Sequence, residues 1–318
     1  MIHDSIYVTL STFAEHDASP LNRLRQSGIP FSLNTTGKRV TPDQLAEEGG
    51  GATVLIAGVE KYDTATLARL PVLRCISRCG VGVDAIDLHA ARARGISVVN
   101  TPDVPTQAVA ELTLAMMLGL CRQLPRQSDL VRKREWKRLD AHLLSGRTVG
   151  LIGLGRIGRR VCELLKPFKV RLLAVDPLAN VASACQEGIE VVTLARLLAA
   201  ADIVSLHASS AGPAPLLLGE EELASMKTGA MIVNVARGSM VDEPALVRAL
   251  KEGRLGGAAL DVYPEEPYAG ALCDLPNVIL TPHSATLAVE TRIAMELECV
   301  DKALRFLTGS LASAEMVI

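Results

Sequence analysis

Residues 149–158 read VGLIGLGRIG, an apolar run that stops at three glycines in G-x-G-x-x-G spacing and continues into an amphipathic stretch. Few chain geometries tolerate that order. Gly153 permits a tight turn after a strand, and Gly155 lets backbone come close to a pyrophosphate. Gly158 allows the following helix to pack closely, and the helix N-terminus offers N–H donors to the anion. Asp176 ends the next apolar run, 23 residues after Gly153. A carboxylate there accepts both hydroxyls of an adenosine ribose and repels a 2′-phosphate. The residues that follow are Pro177 and Leu178 rather than an arginine, so the expected cofactor is NAD and not NADP.

The same strand-then-helix order repeats on either side. In the first third, 6–10, 54–57, 73–77 and 97–99 read as strands. Helices are predicted over 21–27, 42–48, 64–70 and 84–94, where apolar residues recur three or four apart and Gly28 and Gly95 sit at the ends. A long helical stretch follows over 106–143, apolar at first and then basic, with Arg122, Arg126, Arg132, Lys133, Arg134, Lys137 and Arg138. Further strands are predicted over 148–153, 171–176, 203–207, 231–235, 258–262 and 278–281. Helices are predicted over 157–165, 194–200, 221–226 and 243–251, and a last one over 289–307. This alternation implies an α/β fold of parallel sheets covered on both faces.

Composition limits the function classes. With 318 residues, 49% of them apolar, the chain is long enough for two domains with sizeable cores. Its 35 acidic and 33 basic residues nearly balance, which argues against a nucleic-acid stripe or a membrane-surface patch. The longest apolar stretch, 109–121, contains Glu111 and is too short to span a bilayer, and no leader pattern opens the chain. Seven cysteines without a C-x-x-C pair read as reduced thiols, so a cytoplasmic protein is expected. The six histidines show no metal-ligand spacing, no G-x-S-x-G elbow occurs, and no metal is expected. The basic stretch 122–138, with Trp136 inside it, reads as a solvated helical face that can contribute to a dimer arm.

Five more segments carry specific information: RCGVGVDAID at 78–87, NTP at 100–102, NVARG at 234–238, ALDVYPEEP at 259–267 and TPH at 281–283. Together with the glycine loop, and in this order, they resemble the D-isomer-specific 2-hydroxyacid dehydrogenases, a family that includes D-3-phosphoglycerate dehydrogenase. The resemblance runs from about residue 50 to the C-terminus; the first 50 residues match only in pattern. It implies two Rossmann/flavodoxin-like parallel-sheet domains, with a coenzyme domain over 102–286 inserted into a discontinuous substrate domain of 1–101 and 287–318. The stretches 106–120 and 289–307 would be the crossing helices, and a homodimer through the coenzyme domain is implied. Because the chain stops soon after the last of these, no C-terminal regulatory domain is expected.

Reducing a 2-keto acid needs a cation for the carboxylate, a proton donor for the carbonyl oxygen and a source of hydride. Arg237 has a planar guanidinium suited to gripping a carboxylate. His283 can give or take the proton, and Glu266 can orient the imidazole. By resemblance these three match the family's catalytic arginine, glutamate and histidine. Gly80, Val81 and Gly82 can present successive N–H groups to a substrate carboxylate, and Arg78 is a candidate for a substrate phosphate. For the coenzyme, the resemblance carries over Arg156 and Ile157 at the pyrophosphate, and Thr101, Val235, Ala236, Asp261, Ser284, Ala285 and Thr286 around the nicotinamide. Asp261 either holds the carboxamide or caps a turn. His207 matches the start of a family H-x-P-x-T segment, but here the chain reads HASSA over 207–211. The segment after His283 also lacks the usual glycine-rich turn. The substrate stays open between D-3-phosphoglycerate, hydroxypyruvate or glyoxylate, and small 2-keto acids at large. Some members of the family act instead as dinucleotide-sensing corepressors, which is the alternative of another class.

Overall fold

Apolar runs without a helical period form strands buried on both faces, as parallel sheets require. In the computed structural model, which describes residues 3–208 and 215–318, they build two sheets. The first contains β1 (Ile6–Val8), β2 (Phe31–Leu33), β3 (Val54–Ala57), β4 (Cys75–Arg78) and β5 (Ser97–Asn100), all parallel, in the order β2-β1-β3-β4-β5. The crossovers are α1 (Ser19–Ser27), α2 (Pro42–Gly49), α3 (Thr64–Ala68) and α4 (Leu88–Ala93). Local chemistry sets where they begin. Thr41 and Gln44 cap α2 reciprocally, each side chain accepting from the other's N–H. Asp87 accepts from the Ala90 N–H, so α4 begins at Leu88 rather than at 84 as predicted.

The chain then passes through α5 (Thr106–Cys121) and α6 (Leu124–Arg132) into a seven-stranded sheet. Its elements are β6 (Thr148–Ile152), α7 (Arg156–Leu165), β7 (Arg171–Val175), α8 (Val181–Gln186), β8 (Ile189–Val191), α9 (Leu194–Ala200) and β9 (Ile203–Leu206). They continue with α10 (Glu220–Ser225), β10 (Ala230–Asn234), α11 (Glu243–Lys251), β11 (Leu255–Leu260) and β12 (Val278–Leu280). All pairings are parallel, in the order β12-β11-β10-β9-β6-β7-β8. Finally α12 (Val289–Leu307) packs on α1 and β4 with Met295, Cys299, Val300 and Ala303 buried. The chain thus divides into two compact units, Met1–Pro105 with Thr286–Ile318, and Thr106–Ala285.

The expected parallel α/β fold is what the chain adopts. Three predicted gaps are filled by short elements: β2 and β8, three-residue strands at the sheet edges, and the six-residue α8. Such runs are too short for a period to register. The basic stretch is helical only to Arg132. Nothing in α6 is buried, so no packing extends it, and Arg134 takes a left-handed φ of 62°. Among the described residues no helix is long and apolar enough to cross a membrane.

Candidate active site

In the seven-stranded unit, the motif residues follow the carboxyl ends of successive strands: Gly153 after β6, Asp176 after β7, His207 after β9, Arg237 after β10, Asp261 and Glu266 after β11, and His283 after β12. That edge is where parallel α/β sheets place ligands.

The glycines there divide their work. Gly153 turns the chain with φ 102°, and a Cβ on it would lie 2.5 Å from the Ala208 nitrogen. A Cβ on Gly158 would lie 2.3 Å from the Gly153 carbonyl oxygen. At Gly155 a Cβ would meet nothing within 4 Å, so that side is open, as close approach of a pyrophosphate needs. Gly155 caps α7, Arg156 and Ile157 open it, and the first turn of a helix leaves N–H groups without intrahelical acceptors. Asp176 braces this loop: Oδ2 accepts from the Leu154 N–H at 2.7 Å and Oδ1 from the Leu178 N–H at 2.8 Å. Each oxygen keeps a lone pair for a ribose hydroxyl, and the neighbouring Leu178 is 93% exposed. These residues fit a dinucleotide without a 2′-phosphate.

His207 is buried against this loop, its Nε2 2.8 Å from Ser205 Oγ, and among the described residues its Nδ1 has no partner. Burial pushes its pKa down to about 3. The unfolded chain would bind a proton near pH 6.5 that the folded chain refuses, so stability is full above that pH and is lost as pH falls towards 3. The expected loss is roughly 1 kcal/mol per pH unit below about 6.5. Urea unfolding at pH 7 and pH 5 should show it, and His207→Gln should flatten the difference. The departure from H-x-P-x-T, at Ser209–Ala211, lies outside the described residues.

At the end of β10, buried Asn234 clamps the next turn: Oδ1 accepts from the Ala236 N–H at 3.0 Å, and Nδ2 donates to the Arg237 carbonyl at 2.9 Å. Val235 and Ala236 lie within that clamp, and Arg237 Nη1 donates to the Ala236 carbonyl at 2.7 Å. A Cβ on Gly238 would lie 1.9 Å from the Tyr263 carbonyl carbon and 2.3 Å from the Pro264 nitrogen. Only glycine lets the Arg237 turn press on the loop that carries Glu266. Gly238→Ala should therefore displace backbone and lower Tm by about 10 °C or more, measured by calorimetry, as a destabilisation of several kcal/mol implies.

Glu266 and His283 meet directly. His283 Nδ1 lies 2.8 Å from Glu266 Oε2 and 3.1 Å from Oε1, and Oε1 also accepts from the Tyr263 N–H at 3.2 Å. The side chains are 50% and 37% exposed, so the pair is in contact with solvent. His283 holds a left-handed φ of 52°, a strained backbone for a side chain of its size. Asp261, buried to 1%, keeps it there. Its carboxylate accepts from the Thr281 hydroxyl, the Ser284 N–H at 2.8 Å and the Ala285 N–H at 2.9 Å. Of the two readings of Asp261, the structure shows the turn cap.

The other unit contains the remaining candidates. Gly80 has φ 140°, and its N–H donates to the buried Thr101 hydroxyl at 2.9 Å. Of the three N–H groups expected to meet a substrate carboxylate, that of Gly80 is thus taken by Thr101. The half-buried Arg78 folds over Gly80, with Nη1 2.3 Å from where a Cβ would stand. Arg78 has no acidic partner among the described residues. Thr286 opens the return segment of this unit. Asn234, Gly238 and Tyr263 were not singled out from the sequence; the polar Asn234 closing an apolar strand was the one available signal. Among the described residues no group of three His, Cys, Asp or Glu side chains is placed to hold a metal ion.

The family model described as D-isomer specific 2-hydroxyacid dehydrogenase, NAD binding domain, matches residues 114–285. D-3-phosphoglycerate dehydrogenase of Methanocaldococcus jannaschii is 38% identical over 86% of this chain and 53% of its own length. The chain thus spans about half the length of that relative. Glyoxylate reductase of Korarchaeum cryptofilum is 36% identical over 79% of this chain and 78% of its own. Among solved structures, D-lactate dehydrogenase from Aquifex aeolicus, complexed with NAD and lactic acid, aligns over 99% of both chains with a TM-score of 0.86 at 28% identity. The chain belongs to the D-isomer-specific 2-hydroxyacid dehydrogenase family.

Proposed function

We propose that this chain is an NAD-dependent D-2-hydroxyacid dehydrogenase that interconverts a small D-2-hydroxy acid and its 2-keto acid. The observation that carries this reading is the His283–Glu266 pair, 2.8 Å apart, on the sheet edge that also bears Arg237 and the glycine loop. NADH, when bound, supplies the hydride that adds to C2. His283 gives its Nε2 proton to the carbonyl oxygen as charge develops there, while Glu266 at Nδ1 fixes the ring's orientation. Arg237 grips the carboxylate and polarises the keto group. Gly155 with the first turn of α7 receives the pyrophosphate, and Asp176 the adenosine ribose. Asp176→Ala removes both the ribose acceptor and the loop brace, so the Kd for NADH should rise about tenfold or more by fluorescence titration.

An Arg78 without an acidic partner supports a substrate with an anionic distal group, of the 3-phosphohydroxypyruvate kind. The test is NADH and NADPH oxidation against phosphohydroxypyruvate, hydroxypyruvate, glyoxylate and pyruvate. Turnover confined to the phosphorylated acid supports that substrate; turnover spread over the others supports a general 2-keto acid reductase. NADH binding without turnover on any acid contradicts the enzyme reading and favours a dinucleotide sensor. We also place the protein in the cytoplasm as a homodimer. Support for the dimer comes from α6 and the stretch after it, where Leu124, Val131, Leu143 and the 86%-exposed Trp136 present apolar surface. Trp136→Asp should then shift the mass seen by light scattering from dimer to monomer.

A further inference from the structure

Tyr263 lies between the loop bearing Glu266 and the segment bearing His283, and it touches both. Its phenol oxygen is 3.0 Å from the Leu260 carbonyl, at the end of β11, and 3.0 Å from the Thr281 carbonyl, two residues before His283. One phenol proton serves these two acceptors. Its backbone N–H donates to Glu266 Oε1 at 3.2 Å, and its own backbone is the surface on which Gly238, next to Arg237, is pressed. The ring is buried and stacks on Tyr268 with centroids 4.3 Å apart, while Tyr268 donates to Glu243 at 2.7 Å. The ring's place is therefore set by packing, and its hydroxyl is free to serve as a tether. The tether also has a specific target. His283 sits in a left-handed turn whose N–H returns to the same Thr281 carbonyl at 3.0 Å, so holding Thr281 holds the root of that turn.

We infer that the Tyr263 hydroxyl is a positioning residue for the His283–Glu266 pair: it ties the ends of β11 and β12 together so that the imidazole and the carboxylate stay in register. The inference rests on the dehydrogenase reading for its kinetic consequence, but not for its geometry. Leu260 and Thr281 keep other donors, since the Thr281 N–H bonds Leu260 and the His283 N–H bonds Thr281. Removing only the phenol oxygen leaves no carbonyl stranded, so the fold should tolerate it.

Tyr263→Phe is the test, read in two ways. In proton NMR the hydrogen-bonded His283 Nδ1–H of the native protein should give a downfield imidazole resonance, assigned by its loss in His283→Asn. Tyr263→Phe should broaden or shift that resonance upfield, with Tm within about 2 °C of native. In steady-state kinetics kcat should fall about tenfold with the keto acid KM and NADH Kd within twofold, as looser positioning of the reacting pair without loss of a binding contact implies. Combined with Glu266→Gln, the change should add little further loss, because both act on one pair. An unchanged resonance, or full additivity with Glu266→Gln, overturns the inference. If the native protein turns over no keto acid, the dehydrogenase reading fails, and the resonance alone still decides whether Tyr263 positions the pair.

Discussion

His283→Ala is expected to lower kcat for keto acid reduction about a thousandfold, while NADH binds within twofold of native. General acid–base catalysis contributes about 10²–10⁴ in rate, and the His283 Nδ1 already lies 2.8 Å from the Glu266 carboxylate. A thousandfold corresponds to about 4 kcal/mol of barrier. Alanine tolerates the left-handed φ of 52° less well than histidine, which costs some stability irrespective of chemistry. His283→Asn separates the two effects, because asparagine accepts that backbone readily and cannot transfer the proton. It should lose the same rate while keeping the native Tm. Stopped-flow absorbance of NADH at 340 nm measures the step directly, and a His283→Asn protein with native kcat would remove His283 from the mechanism.

The second large effect is expected at Arg237. On the proposed function Arg237 grips the substrate carboxylate and polarises the carbonyl, so removing its guanidinium forfeits charge-assisted hydrogen bonds stronger in the transition state than in the substrate complex. Arg237→Ala should lower kcat/KM by about 10³–10⁴, with both KM and kcat affected. Arg237→Lys restores the charge but not the planar fork, and should recover only about tenfold. The turn itself should survive either change, since Asn234 holds it through the backbone of residues 236 and 237. Equal losses for Ala and Lys would point to geometry as the whole contribution; no loss for either would take Arg237 out of the site.

Much of this site was readable because its residues lie in short segments whose spacing is itself the chemistry. VGLIGLGRIG contains the strand, turn and helix that position its three glycines, and Asp176 follows from the length of one strand–helix–strand unit. NVARG and EEP with TPH were readable through the family resemblance. What stayed hidden depends on contacts distant in sequence. The Gly80 N–H is taken by Thr101, 21 residues on, which no local reading of the 80–82 segment reveals. Nothing near Gly238 in the sequence signals that the Tyr263 backbone packs against it. Asp261 carried two readings because only the fold decides that the Ser284 and Ala285 N–H groups reach it first. The edge strands β2 and β8 and the early end of α6 escaped for a simpler reason: few or none of their side chains are fully buried, so burial leaves little pattern in the sequence.

The most direct test of the account follows an atom. With NADH carrying deuterium at both C4 positions of the nicotinamide and glyoxylate, pyruvate, hydroxypyruvate or phosphohydroxypyruvate as acceptor, the product's C2 should contain one deuterium. For the acceptors that give a chiral product, it should have the D configuration. Mass spectrometry and chiral chromatography of a single-turnover mixture read both. Deuterium at C2 of a D-2-hydroxy acid, abolished in His283→Asn, is the result predicted. An unlabelled product, an L product, or labelled product undiminished in His283→Asn would contradict it.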